Sequence, residues 1–390
     1  MMMNMDQLYY KHPYMQSFKA RVLSCTENGG HYEIVLEETI FYPEGGGQPS
    51  DVGHIGECYI SHVYWACEHI IHISDKPLEE NVEYDAEINW QRRFDHMQHH
   101  SAEHLLSGIA HKLYGADNVG FGIGESHVTI DFNVELSHED IVNLEVLSND
   151  AVYRNLPIKT EYFNAPPEFS YRSKKELSGT IRIVSIDSYD ICACAGTQLS
   201  STGEIGLIKI VSFGKYKSGT RLYLLCGQRA LRDYQVKQEN LHEISTLLSV
   251  KTHEAAEHVA RLHEEKEALA FELMATKYEI IDMESEKLLL ANSGDEILLF
   301  EEKLSSEEMK RYTANLLAKF KIIAIFSGDD ENGFQYMITS NILDLPTFIK
   351  NMNAELNGKG GGKGTAFGHV RATKLEIEQY FEGGAKCTEK

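Results

Sequence analysis

The chain has 390 residues, 42% of them hydrophobic and 25% charged, with a formal net charge of −22. Such a length accommodates two or three domains, and the composition is ordinary for a soluble globular protein. No run approaches the roughly 20 apolar residues of a membrane helix, and the acidic balance argues against nonspecific coating of nucleic acid, although a local basic patch still dominates within the screening length of about 8 Å.

The first residues, MMMNMDQLYYKHPY, lack the charged-then-apolar order of a signal peptide, so a cytoplasmic protein is expected. Seven cysteines (Cys25, Cys58, Cys67, Cys192, Cys194, Cys226 and Cys387) are odd in number and scattered. That pattern fits reduced thiols rather than a disulfide framework, and any close pair is a suspect for metal binding.

Residues 16–90 read as short strands broken by turns. HYEIVLEETIFYP is β-rich, glycines 45–47 interrupt it, and alternation returns in YISHVYWACEHIIHIS. A small β-barrel or sandwich is expected. From Gln91 to Tyr114, Leu105, Leu106, Ile109 and Leu113 fall at helical spacing, and Gly115 is a stop signal. VGFGIGESHVTIDF reads as a hairpin. SHEDIVNLEVLSNDAVYRNLP reads as a helix capped by Ser137 and ended before Pro157. TIRIVSIDSYDICACAGTQLSSTGEIGLIKIVSF reads as strand, loop and strand. Between Leu231 and Met283, Leu241, Ile244, Leu248, Ala255, Val259, Leu262, Leu269, Leu273 and Ile280 recur at 3-4 spacing, the seam of a long helix or of a helix pair broken near SVKTHE. The last hundred residues alternate strands and helices and carry a glycine-rich stretch, NGKGGGKGT. The expected class is α+β: an N-terminal barrel over 1–90, an α+β core over 91–230, a helical spacer over 231–283 and a C-terminal α/β domain over 284–390.

The helix around residue 100 carries HHSAEHLL. His100 and His104 are four apart, just over one turn, so their imidazoles share a face. Alone, such a pair in a chain with 18 histidines is more often surface or packed histidine. The second source of ligands is CACAGTQ, residues 192–198. In a strand Cys192 and Cys194 point to one face, and mixed imidazole and thiolate suits zinc. Glu103 lies between the histidines on an uncertain face and is not assigned as a base. NGKGGGKGT fails the order of a Walker phosphate loop, and GFGIG lacks the dinucleotide spacing.

FYPEGGGQPSDVG (41–53), HHSAEHLL (99–106) and CAGTQLSSTGEIGLIKI (194–210), in that order, resemble the editing domain shared by alanyl-tRNA synthetases and their free-standing AlaX relatives. GQRALRDY (227–234) and LNGKGGGKGTAFGHV (356–370) extend the likeness, the latter to the DHH-associated C-terminal domain of those synthetases. No aminoacylation domain is expected ahead of the barrel, which is the layout of long AlaX proteins. The resemblance implies a zinc-dependent hydrolase that deacylates mischarged alanine tRNA, chiefly seryl-tRNA and in some members glycyl-tRNA. It implies zinc held by His100, His104, Cys194 and the residue at 198. There this chain has Gln198 where the family has histidine. Either the Gln198 oxygen binds, or Cys192 substitutes, or water fills the place, or the metal is lost; a retained metal of reduced affinity is expected. Such a metal could activate water or only anchor the substrate.

Discrimination of serine from alanine requires a pocket that pairs the hydroxyl, because alanine then leaves polar groups unpaired. Gln48 and Ser50 in the GGGQPSD loop are the candidate selectors. The tail residues Lys359, Gly360, Gly361, Gly362, Lys363 and Arg371 form a candidate phosphate-binding patch, basic and flexible in an acidic chain. The spacer or the C-terminal domain is a candidate homodimer surface. Catalytic loss at Gln198, leaving only a tRNA-binding protein, is the alternative reading.

Overall fold

The computed structural model describes residues 7–173 and 179–384; Cys387 and the first six residues lie outside them. The chain divides into two compact units, Met1–Glu243 and Ile244–Lys390.

The first unit opens with a short helix α1 (Leu8–Lys11) and a closed six-stranded barrel. Its strands are β1 (Ser17–Asn28), β2 (His31–Leu36), β3 (Gly53–Ile55), β4 (Cys58–Ala66), β5 (His69–Ser74) and β6 (Glu83–Ile88), in the order β1-β2-β5-β4-β3-β6. Period-two alternation drives it: Ala20 and Val22 are buried while Lys19 and Arg21 face solvent. Val22, Ile34, Ile55, Ile60 and Val63 fill the interior with Phe41 and Tyr42. Closure leaves no open edge.

Helix α2 (Trp90–Tyr114) follows directly. Asn89 caps it by accepting from the Arg92 amide at 3.0 Å, and Gly115 ends it at φ 62°, as a left-handed C-terminal residue should. Every residue from His96 to Ala110 is buried, so α2 is a central helix rather than a surface one. Around it stand β7 (Asn118–Ile123), β8 (Val128–Phe132), α3 (His138–Tyr153), β9 (Ile158–Phe163), β10 (Ile181–Ile186), β11 (Asp190–Ala193), a 3-10 turn (Thr202–Ile205), β12 (Ile208–Tyr216) and β13 (Gly219–Cys226). They form an antiparallel sheet β12-β13-β8-β7 and a smaller one β11-β10-β9. The Ser137 cap holds as a full capping box with Asp140. Strand β9 was not anticipated: it buries only Ile158, so hydrophobic alternation is silent along it. A turn with Ser188 at φ 59° splits the expected first strand into β10 and β11.

Two helices occupy the helical region, α4 (Gly227–Leu248) and α5 (Ala255–Ala291). The break falls at SVKTHE, where Ser249 adopts φ 55°. Helix α5 runs past the expected limit of Met283, because KLLLA continues a helix-forming sequence.

Within the second unit, β14 (Glu296–Glu301), β15 (Ile322–Asp329), β16 (Gly333–Ser340), β17 (Lys359–Gly361) and β18 (Thr365–Val370) form one sheet ordered β14-β15-β16-β18-β17. Helices α6 (Ser306–Leu316), α7 (Leu345–Glu355) and α8 (Lys374–Gly384) complete it. Alternate residues of β15 serve two cores. Ala324 and Phe326 meet Phe348 and Met352, whereas Ile323 and Ile325 meet Leu316, Tyr312 and Ile281 of α5. Among the described residues, no helix is long and apolar enough to cross a membrane.

Candidate metal centre

Helix α2 places the His100 and His104 rings one turn apart, stacked with centroids 5.7 Å from each other. Cys194 is the first residue beyond β11, and its Sγ lies 3.3 Å from His100 Nε2. Donor atoms of His100, His104 and Cys194 all fall within 4.8 Å of one another. The two distant segments singled out in the sequence therefore converge. His104 Nε2 is buried and, among the described residues, makes no hydrogen bond. A buried nitrogen left unpaired costs about 1–3 kcal/mol. An imidazole lone pair aimed at a thiolate and a second imidazole is the donor set of zinc, so the residues present fit the ion.

The other ring nitrogens are fixed from behind. His100 Nδ1 lies 2.9 Å from Gln48 Oε1, and His104 Nδ1 lies 2.8 Å from Asp190 Oδ2. Both acceptors are oxygens that cannot donate, so each Nδ1 carries the proton and each Nε2 faces inward. Asp190 is itself gripped at both oxygens by Arg172, at 2.7 and 2.8 Å.

The loop after β11 is strapped in place. Arg182 Nη1 donates to the carbonyls of Cys194 and Gly196, each at 2.9 Å. The hydroxyls of Tyr10 and Tyr42 donate to Ala195 O at 2.7 and 3.1 Å. Gly196 is there for space alone: a Cβ would lie 1.9 Å from His100 Cε1. The GGG turn presses equally closely on the β7 hairpin. Gly47, at φ 82°, would bring a Cβ within 2.6 Å of Phe121, whose ring packs 5.0 Å from that of His100.

Electrostatics follow burial and pairing. Burial opposes ionisation of Cys194, but the His100 and His104 imidazoles beside it hold its thiol well below the ordinary range, as a thiolate. Burial, with the negative charges of Asp190, Glu103 and Cys194 nearby, pushes the Cys192 thiol up against the pull of Arg172, so it stays neutral. For His104, burial disfavours the charge, yet the Cys194 thiolate and Asp190 raise it to about 10; a bound cation would take the place of the Nε2 proton. Burial resists ionisation of Asp190, while His104 and Arg172 hold it down at about 2.

Residues 181–223 match the family model described as the threonyl and alanyl tRNA synthetase second additional domain. That segment supplies Arg182, Asp190, Cys194 and Gly196. Similarity runs nearly end to end with the alanyl-tRNA editing protein AlaX-L of Pyrococcus horikoshii, 28% identical over 396 residues, covering 95% of this chain and 96% of that protein. The alanyl-tRNA editing protein Aarsd1-A of Xenopus laevis is 26% identical over 370 residues, 90% of each chain. An alanine–tRNA ligase of Sulfurisphaera tokodaii is 31% identical over 397 residues, but this chain spans only 43% of the ligase. Along nearly its whole length the chain is thus similar to free-standing alanyl-tRNA editing proteins.

The position expected as a fourth ligand, Gln198, is engaged otherwise. Its amide oxygen accepts from Ser101 Oγ at 2.7 Å and its amide nitrogen donates to Cys194 Sγ at 3.5 Å. Ser101 Oγ accepts from the Leu199 amide, which leaves its proton for Gln198 and fixes the amide's orientation. Cys192 does not join the three donors. It groups instead with His104 and Asp190. Gln48, expected to touch substrate, spends its oxygen on His100 and the Thr197 amide and its nitrogen on Thr197 Oγ1. Ser50 Oγ pairs with His62 Nδ1 at 3.1 Å. Glu103 is buried and receives Ser107 and Asn118. A cleft of about 930 Å³ reaches Asn118, Arg172, Asp190 and Cys192, on the Asp190 side of the histidines.

The glycine-rich tail is ordered where a flexible loop was expected. Lys359, Gly360 and Gly361 form β17, paired with β18 as the sheet's last strand. Gly360 sits at φ 155°, and a Cβ there would strike the Tyr336 hydroxyl at 2.4 Å. The glycines thus admit a tyrosine beneath the strand and let the backbone pair. Lys363 stands exposed in the turn to β18, and Arg371 exposed just after it.

Sequence reasoning missed Asp190, Arg172, Arg182 and the steric need for Gly196. Asp190 was within reach, since it precedes Cys192 and Cys194 by steps of two on one strand face. A direct expectation follows for Gly196→Ala: the added methyl must displace the His100 ring, weakening zinc affinity roughly 10-fold or more, of the order seen when a ligand's support is lost. Competition with a chromogenic chelator measures this, and an unchanged constant refutes the packing argument.

Proposed function

We propose that this chain is a zinc-dependent trans-editing hydrolase that cleaves the ester of mischarged alanine tRNA, seryl-tRNA first and glycyl-tRNA as a second substrate. The observation that carries the reading is the meeting of His100, His104 and Cys194 around the unpartnered His104 Nε2. Relatives along almost the whole chain are named as alanyl-tRNA editing proteins, which supports it.

His100, His104 and Cys194 would hold the zinc, with the fourth position left to water or substrate, the arrangement of a catalytic rather than a structural site. Zinc in such a donor set supplies Lewis acidity, which activates water and polarises a carbonyl. The protein's own part is to present lone pairs. Gln48 and Asp190 keep protons on the Nδ1 atoms, and the Gly196 amide, at 3.3 Å, and Gln198 stabilise the negative sulfur. Gln48 acts through His100 and Thr197, as a positioning residue. Gln198 supports the thiolate rather than replacing the family's histidine as a ligand, so zinc affinity falls below that of a four-ligand site. Ser50 keeps its contact with His62 inside the barrel region.

The second unit would grip the tRNA. Lys359, Lys363 and Arg371 stand near glycine backbone on one sheet edge, which suits phosphate. Changing Lys359 and Lys363 to alanine is expected to weaken tRNA binding and to reduce the slope of log affinity against log salt by about 2. An identical slope would show that those lysines do not meet phosphate. Residues 231–283 act as the spacer between editing core and tRNA-binding domain in a cytoplasmic protein. Exposed Val259, Leu262, Leu269, Leu273 and Ile280 make α5 the homodimer surface; a monomer mass in sedimentation equilibrium would end that part of the proposal.

The second reading, a tRNA-binding protein without catalysis, is favoured by one observation: Gln198 turns its oxygen to Ser101. Deacylation of seryl- and alanyl-tRNA separates the two. The hydrolase reading expects turnover of the seryl ester well above that of the alanyl ester; no turnover above the uncatalysed rate, with zinc supplied, leaves the binding reading.

A further inference from the structure

We infer that Asp190 and Arg172 form a positioning pair for the metal centre, with Asp190 orienting His104 and Arg172 acting only through Asp190; this rests on the zinc reading above. Neither residue is among the expected ligands, and the two come from different segments. Asp190 opens β11, and Arg172 is stitched beside that strand. The Arg172 amide donates to Ile191 O at 2.8 Å, and the Ala193 amide donates to Arg172 O at 2.9 Å.

Three observations carry the assignment. Burial comes first. The Asp190 side chain is 1% exposed, as is that of His104, and a carboxylate so placed must be paired. Asp190 is paired on both sides, by His104 Nδ1 on one oxygen and by the two-pronged guanidinium on both. Saturation is the second point: with all its contacts made inside the protein, the carboxylate is held in one orientation. It holds the imidazole plane so that Nε2 meets the other donors, as carboxylates do behind ligating histidines. Arginine supplies the planar fork that a lysine could not.

Third, the helix is shaped to admit the pair. Gly108, one turn beyond His104, faces the β10–β11 turn. A Cβ there would lie 2.5 Å from Tyr189 O and 2.7 Å from Asp190 Cβ. Glycine in mid-helix costs roughly 1 kcal/mol against alanine. That expense is repaid by letting Asp190 approach His104. The guanidinium also lines the cleft of about 930 Å³, with its side chain 15% exposed, so the positioning pair forms part of a wall that solvent or ligand reaches.

The experiment measures zinc affinity by chelator competition on the purified full chain and on Asp190→Asn, Arg172→Gln and the double variant, with thermal unfolding of each zinc-free protein alongside. Asp190→Asn keeps the shape and is expected to weaken zinc 10–100-fold. Arg172→Gln is expected to weaken it within the same range. The double variant should bind no more weakly than Asp190→Asn alone, because Arg172 has no route to the ion except through the carboxylate. A purely structural role would lower the unfolding temperature while leaving zinc affinity unchanged. Affinities within twofold of the wild type, or losses that multiply in the double variant, overturn the inference. Failure of the wild type itself to bind zinc overturns the parent reading instead. Should either single variant fail to fold, the double, which leaves no unpaired buried charge, gives the affinity against which the wild type is compared.

Discussion

Replacing His104 by alanine is expected to abolish zinc retention and to slow deacylation of seryl-tRNA by roughly 10²–10³-fold, the several kcal/mol a catalytic metal supplies at about 1.36 kcal/mol per decade. The size follows from position. His104 sets its buried Nε2 beside the Cys194 sulfur and the His100 ring, the place an ion would take. Its removal leaves two donors, below the number any catalytic zinc site uses. Asp190 then keeps Arg172 but loses its His104 partner, while Cys194 loses one of the two imidazoles that hold it ionised. The neighbouring His99 is the control. Its Nδ1 lies 2.8 Å from Asp95 O and its Nε2 accepts from the Cys226 amide at 3.0 Å, both packing contacts away from the donors. His99→Ala is expected to cost stability and to leave zinc content at the wild-type level. Metal analysis of the two variants side by side checks the pair, and equal zinc in both would contradict the ligand set.

Replacing Arg93 by methionine is expected to destabilise the protein by about 3–5 kcal/mol, the cost of stranding one charge of a buried pair. Arg93 and Asp51 are both fully buried, so solvent screens neither. Arg93 Nε donates to both Asp51 oxygens at 3.0 Å, Nη1 reaches Pro13 O at 3.0 Å, and Nη2 reaches Ile40 O at 2.6 Å as well as Asp51. Asp51 in turn accepts from the Tyr42 amide at 2.7 Å. One guanidinium thus ties the GGGQPSD loop, the preceding loop and α2 together. With the Arg92 bond to Ser50 O at 3.1 Å and the Gln48 contact with His100, this contact set holds the barrel and α2 in register. Net stabilities of proteins are only about 5–15 kcal/mol, so the loss is a large share. Urea unfolding measures it; a midpoint within error of the wild type would show that water or a rearranged loop replaces the pair.

Much of this architecture is legible in the residues themselves. The barrel strands announce themselves by alternation, α2 by its apolar spacing and Gly115, and α3 by Ser137. The candidate donor cluster is visible as HHSAEHLL and CACAGTQ because side chains at fixed local spacings leave a local mark. What stayed hidden depends on distance along the chain. Arg172 reaches Asp190 through a sheet contact that no periodicity encodes, and Arg182 straps the 194–198 loop from across a hairpin. Gly108 and Gly196 carry no signal of their own, since a missing Cβ matters only when the neighbour that would collide with it is known. Gln48 and Ser50 illustrate the converse. Their chemistry suits a hydroxyl-bearing substrate, but folded contacts with His100, Thr197 and His62 occupy it. Strand β17 was hidden because glycine is a poor strand former, and the space it leaves is filled by Tyr336 from two strands away.

The most direct test of the account counts zinc atoms per purified chain and follows seryl-tRNA deacylation before chelation, after chelation and after zinc is restored. The account predicts one zinc for each chain, with hydrolysis lost on chelation and recovered in proportion to the metal returned. Full deacylation by protein free of metal would contradict it.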